Sequence, residues 1–189
     1  MLNEVIAVVL GYLIGSIPSA YIVGRLVGKI DLRQEGDGRI SAAAVHRKLG
    51  AVLFVSVVVM DVGAGVLSVL IAKMLTDSQL AVLIAGFAAV AGHNWSVFLK
   101  LRGGLGATTI YGVLVALVWW QLLVVAAVAF IIFLITKRKR PGLMTAVLII
   151  GLSVLLFVQK SPLILVIYPF VLIILMLLKR FQISRTGPR

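Results

Sequence analysis

Long apolar segments separated by short polar connections dominate this sequence. In the first half, such runs occupy residues 5–26, 49–71 and 80–99, and each is about as long as the roughly 20 residues that a helix needs to cross a bilayer. Hydrocarbon offers no partners for backbone N–H and C=O groups, so a membrane segment of this length satisfies them internally as a helix. Because 62% of the residues are hydrophobic, against about 45–50% in soluble domains, we predict a single all-α, polytopic membrane domain over residues 1–189.

Basic residues predict which side of the membrane each connection faces. The net charge of +12 would suggest a nucleic-acid partner for a soluble chain, but here the basic residues lie in short loops beside apolar runs, which is typical of membrane topology, so no nucleic-acid partner is predicted. The connections at 73–79 and 159–162 hold one lysine each, so we place these outside, together with the N-terminus, and the C-terminus in the cytoplasm. The predicted cytoplasmic segments are an interfacial loop at 28–50, a glycine loop at 100–106, a basic run at 137–140 and a basic tail at 179–189.

The apolar stretch 107–136 decides the predicted number of crossings. Both of its ends are predicted to be cytoplasmic, so it must cross the membrane an even number of times. As a helix it would be roughly 45 Å long, too long for one upright crossing and too short for two. We therefore predict a short or broken fourth span, with the bend near Trp119-Trp120-Gln121, where two indoles and an amide suit an interface. With two further spans at about 143–158 and 162–178, the total is seven transmembrane helices.

The segment GHNWSVFLKLRGGLGATT, at 92–109, carries the strongest functional signal. It places His93 and Asn94 inside an apolar run, where polar groups must face protein or a water-filled cavity and are candidates for a functional site. The following Gly103-Gly104-x-Gly106 turn can expose successive backbone N–H groups to an anion, and a helix that starts near Gly106 would add its positive end. The alternative is that these glycines only separate two helices.

Small and polar residues interrupt the first apolar run. Gly11 and Gly15 lie on one helix face, where another helix can approach closely. Ser16 and Pro18 follow, and the proline frees a backbone carbonyl that a neighbouring hydroxyl or a ligand can satisfy. A simple kink is the alternative interpretation.

Two charged residues in the first half have two possible roles each. Asp61 lies near the middle of the second run, where a carboxylate must be paired or hydrated, either as a structural pair or as part of a site. Arg47 follows a predicted short interfacial helix that starts around Ser41, and it either orients the protein or binds phosphate through its planar donors.

Three motifs in order resemble a known family. GSIPSAY at 15–21 resembles GSIPxGY, DLRQEGDGRISAAAVHRKLG at 31–50 resembles D-x-R-x-x-GSGNxGATNVxRxxG, and GHNWSVFLKLRGGLGAT at 92–108 resembles GHxxPVFLxFKGGKGVAT. These are the motifs of the bacterial acyl-phosphate:glycerol-3-phosphate acyltransferases (PlsY). The resemblance implies a seven-helix enzyme of phospholipid biosynthesis in the bacterial plasma membrane. It would move a fatty acyl group from acyl phosphate to the 1-hydroxyl of glycerol-3-phosphate, giving lysophosphatidic acid, without a metal or cofactor.

The resemblance also implies roles for particular residues. His93 is the candidate catalytic residue, and the candidate substrate- and phosphate-binding residues are Ser16, Arg47, Asn94, Gly103, Gly104, Gly106 and Thr108.

Several polar positions of the family motifs carry other residues in this chain. The second motif has Asp37 to Ala44 where the family has SGNxGATN, and Leu105 stands where the third motif has lysine. Positive charge near the same membrane face remains available from Arg39, Lys100, Arg102 and Lys179. Because two phosphates require several converging cations and donors, a second function stays open: an inactive member that binds lipid or scaffolds membrane enzymes. A transporter is a third possibility, although no internal repeat supports it. The oligomeric state does not follow from the sequence.

Overall fold

The computed structural model describes residues 1–32, 40–136 and 141–186, and the regular secondary structure of these ranges is helical throughout. The predictions for residues 33–39, for the basic run 137–140 and for the last three residues of the tail fall outside them. In chain order the helices are α1 (Leu2–Gly15), α2 (Ser19–Leu26), α3 (Ala42–Leu49), α4 (Ala51–Leu75), α5 (Gln79–Asn94), a 3-10 turn (Val97–Leu99), α6 (Ala107–Thr136), α7 (Pro141–Val158) and α8 (Leu163–Thr186).

Five segments of the described chain are long and apolar enough to cross a membrane. They are Leu2–Leu26, Ala51–Leu75, Gln79–Leu99, Ala107–Ile132 and Leu163–Arg185, and α7 adds a shorter apolar stretch at Leu148–Val158. The prediction of an all-α, polytopic membrane protein is therefore confirmed. The count of seven helices and the orientation of the termini remain predictions.

The small-residue face of α1 packs closely against α5. A Cβ added at Gly11 would lie 2.5 Å from the carbonyl oxygen of Ala85, and one added at Gly15 would collide with the carbonyl of Ala89. The predicted close helix approach is confirmed, and it fixes the end of α1 beside the C-terminal half of α5.

The helical conformation is interrupted between α1 and α2, at residues 16–18. The hydroxyl of Ser96 donates to the carbonyl of Ser16 at 2.5 Å, whereas the carbonyl of Ile14, four residues before Pro18, accepts from the amide of Ile17 at 3.2 Å. The bond from Ser96 ties the α1–α2 junction to the segment that follows α5.

The predicted bend in 107–136 is confirmed as a kink in α6. Val118 has φ −143° and ψ 47°, which is not helical, one residue before the predicted Trp119. Before the kink, α6 lies against α4: a Cβ added at Gly65 would be 2.5 Å from the carbonyl oxygen of Thr109. The start of α6 is thereby held beside the middle of α4.

Short α3 packs against α4 and α2. Its N-cap is Ser41, whose hydroxyl accepts from the Ala44 amide at 3.2 Å, which confirms the short helix predicted there. Buried Ala44 and Val45 pack on α2 and α4 in a small core that also contains Val57. At the other end of the chain, α8 continues through Lys179 to Thr186, so the first part of the predicted tail is helical.

Candidate functional site

A cavity lies where the α1–α2 junction, the start of α3, the middle of α4 and the end of α5 meet the glycine loop. Its polar side chains are Ser16, Ser19, Ser41, Asp61, His93 and Ser96, and Gly103 and Gly104 add backbone to the wall. Small-molecule sites combine a few converging polar groups with largely apolar walls. This cavity is therefore the candidate site.

Asp61 is the centre of the polar cluster. Its carboxylate is almost fully buried, at 3% exposure. The hydroxyl of Ser19 donates to Oδ1, and the hydroxyl of Thr108 donates to Oδ2 at 2.7 Å. Nδ1 of His93 lies 3.7 Å from Oδ1. One carboxylate thus links α2, α5 and α6 from its place on α4, and it also lines the cavity. Asp61 is therefore paired, and a role in a functional site stays a prediction.

His93 stands in the last turn of α5 with its two ring nitrogens in different surroundings. Nδ1 faces Asp61, whereas a Cβ added at Gly104 would lie 2.6 Å from Nε2. Glycine at 104 therefore leaves room for the imidazole. The ring is largely enclosed, with the side chain 15% exposed, and it forms part of the cavity wall.

The glycine loop is folded back onto the end of α5. The amide of Gly103 donates to the carbonyl of Asn94 at 3.1 Å, and the amide of Gly104 donates to the carbonyl of His93 at 3.0 Å. These two N–H groups therefore hold the loop in place, although the sequence suggested that they would face an anion. Gly106 has a positive φ of 76°, and α6 starts directly after it, as predicted.

Asn94 lies behind the loop. It is fully buried, and its Nδ2 lies 3.5 Å from the carbonyl oxygen of Leu175 on α8. Its Oδ1 points at Gly106, where an added Cβ would collide with it, and this oxygen has no hydrogen-bond partner among the described residues.

Lys179, in the C-terminal part of α8, lies next to the glycine loop. Nζ of Lys179 lies 3.4 Å from the carbonyl oxygen of Leu101 and 5.3 Å from the centre of the Trp95 ring. The Trp95 indole donates to Gln182 at 2.9 Å. Lys179 is 4% exposed, so it is buried beside the glycine loop. The candidate cations Lys100 and Arg102 are exposed. Arg39 lies outside the described residues.

The predicted site residues are thus only partly brought together. Four of them line the cavity: Ser16, His93, Gly103 and Gly104. Thr108 does not line the described wall of the cavity, but its hydroxyl donates to Asp61, which does. Asn94 and Gly106 lie behind the loop. Arg47 is exposed on α3 and does not belong to the cavity wall formed by the described residues, so its role in binding phosphate stays a prediction.

Ser19, Ser41 and Ser96 also belong to the site, although the sequence did not single them out. Ser19 and Ser96 are nearly fully buried at 3% and 2% exposure. Sequence reasoning could have found these serines through the rule that polar residues at membrane depth face protein or a cavity. Serine is also common where membrane helices pack together, so this rule alone does not distinguish a site serine from a packing serine.

The fold and the site together define an integral membrane protein, helical throughout its described residues, with a polar cavity between its helices. Residues 5–186 match the family described as Glycerol-3-phosphate acyltransferase. The chain therefore belongs to the glycerol-3-phosphate acyltransferase family.

Individual relatives and solved structures agree with this assignment. The chain is 40% identical over 127 residues to a glycerol-3-phosphate acyltransferase 2 of Moorella thermoacetica, and the match covers 65% of each chain. A glycerol-3-phosphate acyltransferase of Shouchella clausii is 39% identical over 145 residues, which are 75% of this chain and 71% of the relative. The crystal structure of the integral membrane glycerol 3-phosphate acyltransferase PlsY, in its glycerol 3-phosphate form, is similar over 97% of this chain and 91% of its own, with a TM-score of 0.79 and 30% identity. Its lysophosphatidic acid form has the same TM-score at 29% identity.

Proposed function

We propose that this protein moves a fatty acyl group from acyl phosphate to the 1-hydroxyl of glycerol-3-phosphate, giving lysophosphatidic acid and inorganic phosphate. The observation that carries this proposal is the buried His93–Asp61 pair in the wall of the polar cavity beside the glycine loop. Similarity to PlsY in its glycerol 3-phosphate form, over 97% of the chain, supports the choice of acceptor.

The chemistry requires a group that removes one proton. The 1-hydroxyl oxygen bonds to the acyl carbonyl carbon, and the bond between that carbon and the phosphate oxygen breaks. Nε2 of His93 accepts the hydroxyl proton and returns it to the departing phosphate. General-base catalysis of this kind contributes about 10²- to 10⁴-fold to a rate.

A second cavity offers a place for the acyl chain. It lies between α6, α7 and α8, with apolar walls that include Ile110, Leu152 and Met176. It reaches Ala107, the first residue of α6, directly after the glycine loop. An acyl phosphate with its chain in this cavity would present its head group at the loop, next to the acceptor.

The proposal includes the placement of the protein in a bacterial plasma membrane. It crosses the membrane seven times, with the N-terminus outside, and the cavity opens on the cytoplasmic side. Two observations support this placement: the cavity lies where the basic connections 28–50 and 100–106 meet, and the kink at Val118 divides α6 into a short and a longer part.

A specific observation favours a second candidate function, the binding of a phosphate-bearing lipid without turnover. Leu105 is an apolar, 38% exposed side chain in the glycine loop, where the motif that this segment resembles has a lysine. Without that cation, anionic substrates would be held but less well stabilised as charge moves during transfer.

The two functions are separated by assaying the purified protein, in lipid nanodiscs, with acyl phosphate and glycerol-3-phosphate, and by detecting lysophosphatidic acid by mass spectrometry. We expect product, and a fall of about 10²- to 10⁴-fold in kcat for His93→Gln. His46→Gln is the matched control, because His46 is the other of the two histidines and is exposed on α3.

The outcomes that contradict the proposal are distinct. Full activity of His93→Gln would contradict the role of His93 as the base. Tight binding of lysophosphatidic acid without any transfer by the parent protein would establish the second function in its place.

A further inference from the structure

Lys179 on α8 is a buried cation without a matching anion among the described residues. Its side chain is 4% exposed, and none of the ion pairs between those residues includes it. Nζ lies 3.4 Å from its one described acceptor, the carbonyl oxygen of Leu101, and 5.3 Å from the centre of the Trp95 ring. Because an ammonium group has three N–H donors, most of its donor capacity is left for a further partner.

Membrane topology does not require this burial. A lysine that only marks the cytoplasmic end of a membrane helix extends its ammonium group into water, and the next residue of α8, Arg180, is exposed. A buried charge is costly unless an opposite charge pairs with it. An anionic ligand beside Lys179 would offset this cost.

Lys179 also lies at one end of the apolar cavity between α6, α7 and α8. Ile173 and Met176 line that cavity, and Lys179 follows at the same spacing of three residues, so the three side chains share one face of α8. Ala107 lines the cavity where α6 starts, directly after the glycine loop, and Lys179 contacts this loop at Leu101. An acyl chain in the cavity would therefore carry its head group toward the ammonium group.

The glycine loop needs positive charge from elsewhere to bind a phosphate. Leu105 stands where the motif that this segment resembles has a lysine, and the two cations of the loop, Lys100 and Arg102, are exposed. A phosphate group removed from water requires charged hydrogen-bond donors close by. Lys179 brings such a donor to the loop from a distant part of the chain.

We propose that Lys179 binds the phosphate head group of the acyl donor and supplies the charge that Leu105 lacks. Its ammonium group donates to the phosphate oxygens while the acyl chain occupies the apolar cavity. Glycerol-3-phosphate carries the same chemical group, but the place of Lys179 one turn beyond the lining of the apolar cavity assigns it to the donor. This inference rests on the proposed function, because acyl phosphate is a substrate of that reaction.

The first measurement tests binding and needs no turnover. Hexadecylphosphonate has a long apolar chain and an anionic head group, and it contains no acyl group to transfer. We expect Lys179→Gln to weaken its binding by about 10- to 150-fold, as for the loss of a hydrogen bond between charged groups, in calorimetric titration of the protein in detergent micelles. Glutamine can still donate to the Leu101 carbonyl, so a lysine that only tied α8 to the loop would be replaced without loss of affinity.

Two controls separate the charge from the fold. Arg180→Gln removes a positive charge from the same turn at an exposed position and should leave the affinity unchanged. Hexadecanol has the same chain without the anion, so the parent and Lys179→Gln should bind it equally. If Lys179→Gln does not fold, Lys179→Met, which keeps an unbranched side chain beside Trp95, takes its place. Equal affinity of the variant and the parent for hexadecylphosphonate would overturn the proposal, as would an equal loss for hexadecanol.

A charge-relocation variant tests whether Lys179 stands in for the missing lysine of the loop. We expect Leu105→Lys to restore most of the affinity for hexadecylphosphonate when Lys179 is already glutamine, because a cation returns to the loop. In the parent, the same substitution should add little, since the head group already has its cation. Absence of any recovery would contradict a shared role of the two positions.

The second measurement distinguishes the two phosphate-bearing substrates. With lysophosphatidic acid as the readout, we expect Lys179→Gln to raise the KM for acyl phosphate by about 10- to 150-fold and to leave the KM for glycerol-3-phosphate unchanged. A rise in the KM for glycerol-3-phosphate alone would assign Lys179 to the acceptor and overturn the proposal. If the parent protein transfers no acyl group, the proposed function is lost, whereas the titrations with hexadecylphosphonate still decide whether Lys179 binds the head group.

Discussion

At the scale of single residues, Ser16 combines an anchored backbone with a buried hydroxyl that has no hydrogen-bond partner among the described residues. Its backbone carbonyl is bonded to Ser96, so the chain around it is anchored, while its hydroxyl has no partner within the described residues. Ser153 on α7 is also buried with an unpartnered hydroxyl among those residues, at 6% exposure, but it does not contribute to the described wall of the cavity. The two serines are therefore a matched pair.

We predict that Ser16→Ala raises the KM for glycerol-3-phosphate by about tenfold or more, because a hydrogen bond to a charged group contributes roughly 1.5–3 kcal/mol. Ser153→Ala should leave KM unchanged. Neither change should lower the melting temperature, since neither hydroxyl makes a bond in the described structure that the substitution would break. Equal KM values for Ser16→Ala and the parent would exclude contact between this hydroxyl and the acceptor.

At the scale of elements, the contact of α1 with α5 positions the cavity. The last turn of α5 carries His93, and the break after α1 carries Ser16, so the distance between these helices sets the width of the site. The glycine face of α1 makes this distance short, because backbone meets backbone with no side chain between them.

We predict that Gly11→Ala destabilises the protein by about 1–3 kcal/mol through overpacking, because the added Cβ would lie 2.5 Å from the Ala85 carbonyl oxygen. The control is Gly63→Ala on α4, where an added Cβ has nothing within 4 Å among the described residues. This control should be neutral or slightly stabilising, since alanine favours helix over glycine. Thermal unfolding in detergent micelles measures both, and equal melting temperatures would show that α1 and α5 are not packed as closely as the structure has them.

At the scale of the whole molecule, the arrangement in the membrane follows from the charges of the connections. The chain has no cysteine, so single cysteines can be introduced for labelling with a membrane-impermeant reagent. We predict that Asp77→Cys and Lys160→Cys are labelled from outside intact cells, whereas Lys100→Cys is protected, because basic connections stay in the cytoplasm. All three positions are exposed. Labelling of Lys100→Cys from outside would reverse the proposed orientation.

Most elements could be predicted from local patterns. Apolar length predicts a membrane helix wherever it occurs, because the bilayer is a uniform solvent that demands internally bonded backbone. The kink at Val118 and the start of α3 at Ala42 also followed from nearby residues. The extension of α8 to Thr186 did not, because its last polar turns are held by contacts such as that of Gln182 with Trp95.

The sequence alone therefore determined the class of protein, most of its helices, and the position of the glycine loop after His93, since each depends on residues close together in the chain. Only the tertiary structure decided which polar groups meet. It brought Asp61 on α4 together with Ser19 on α2, His93 on α5 and Thr108 on α6. It also turned the amides of Gly103 and Gly104 inward. The contacts of Asp61 join residues far apart in the chain, and they depend on the depth and rotation of each helix in the bundle, which packing between helices sets and local sequence does not.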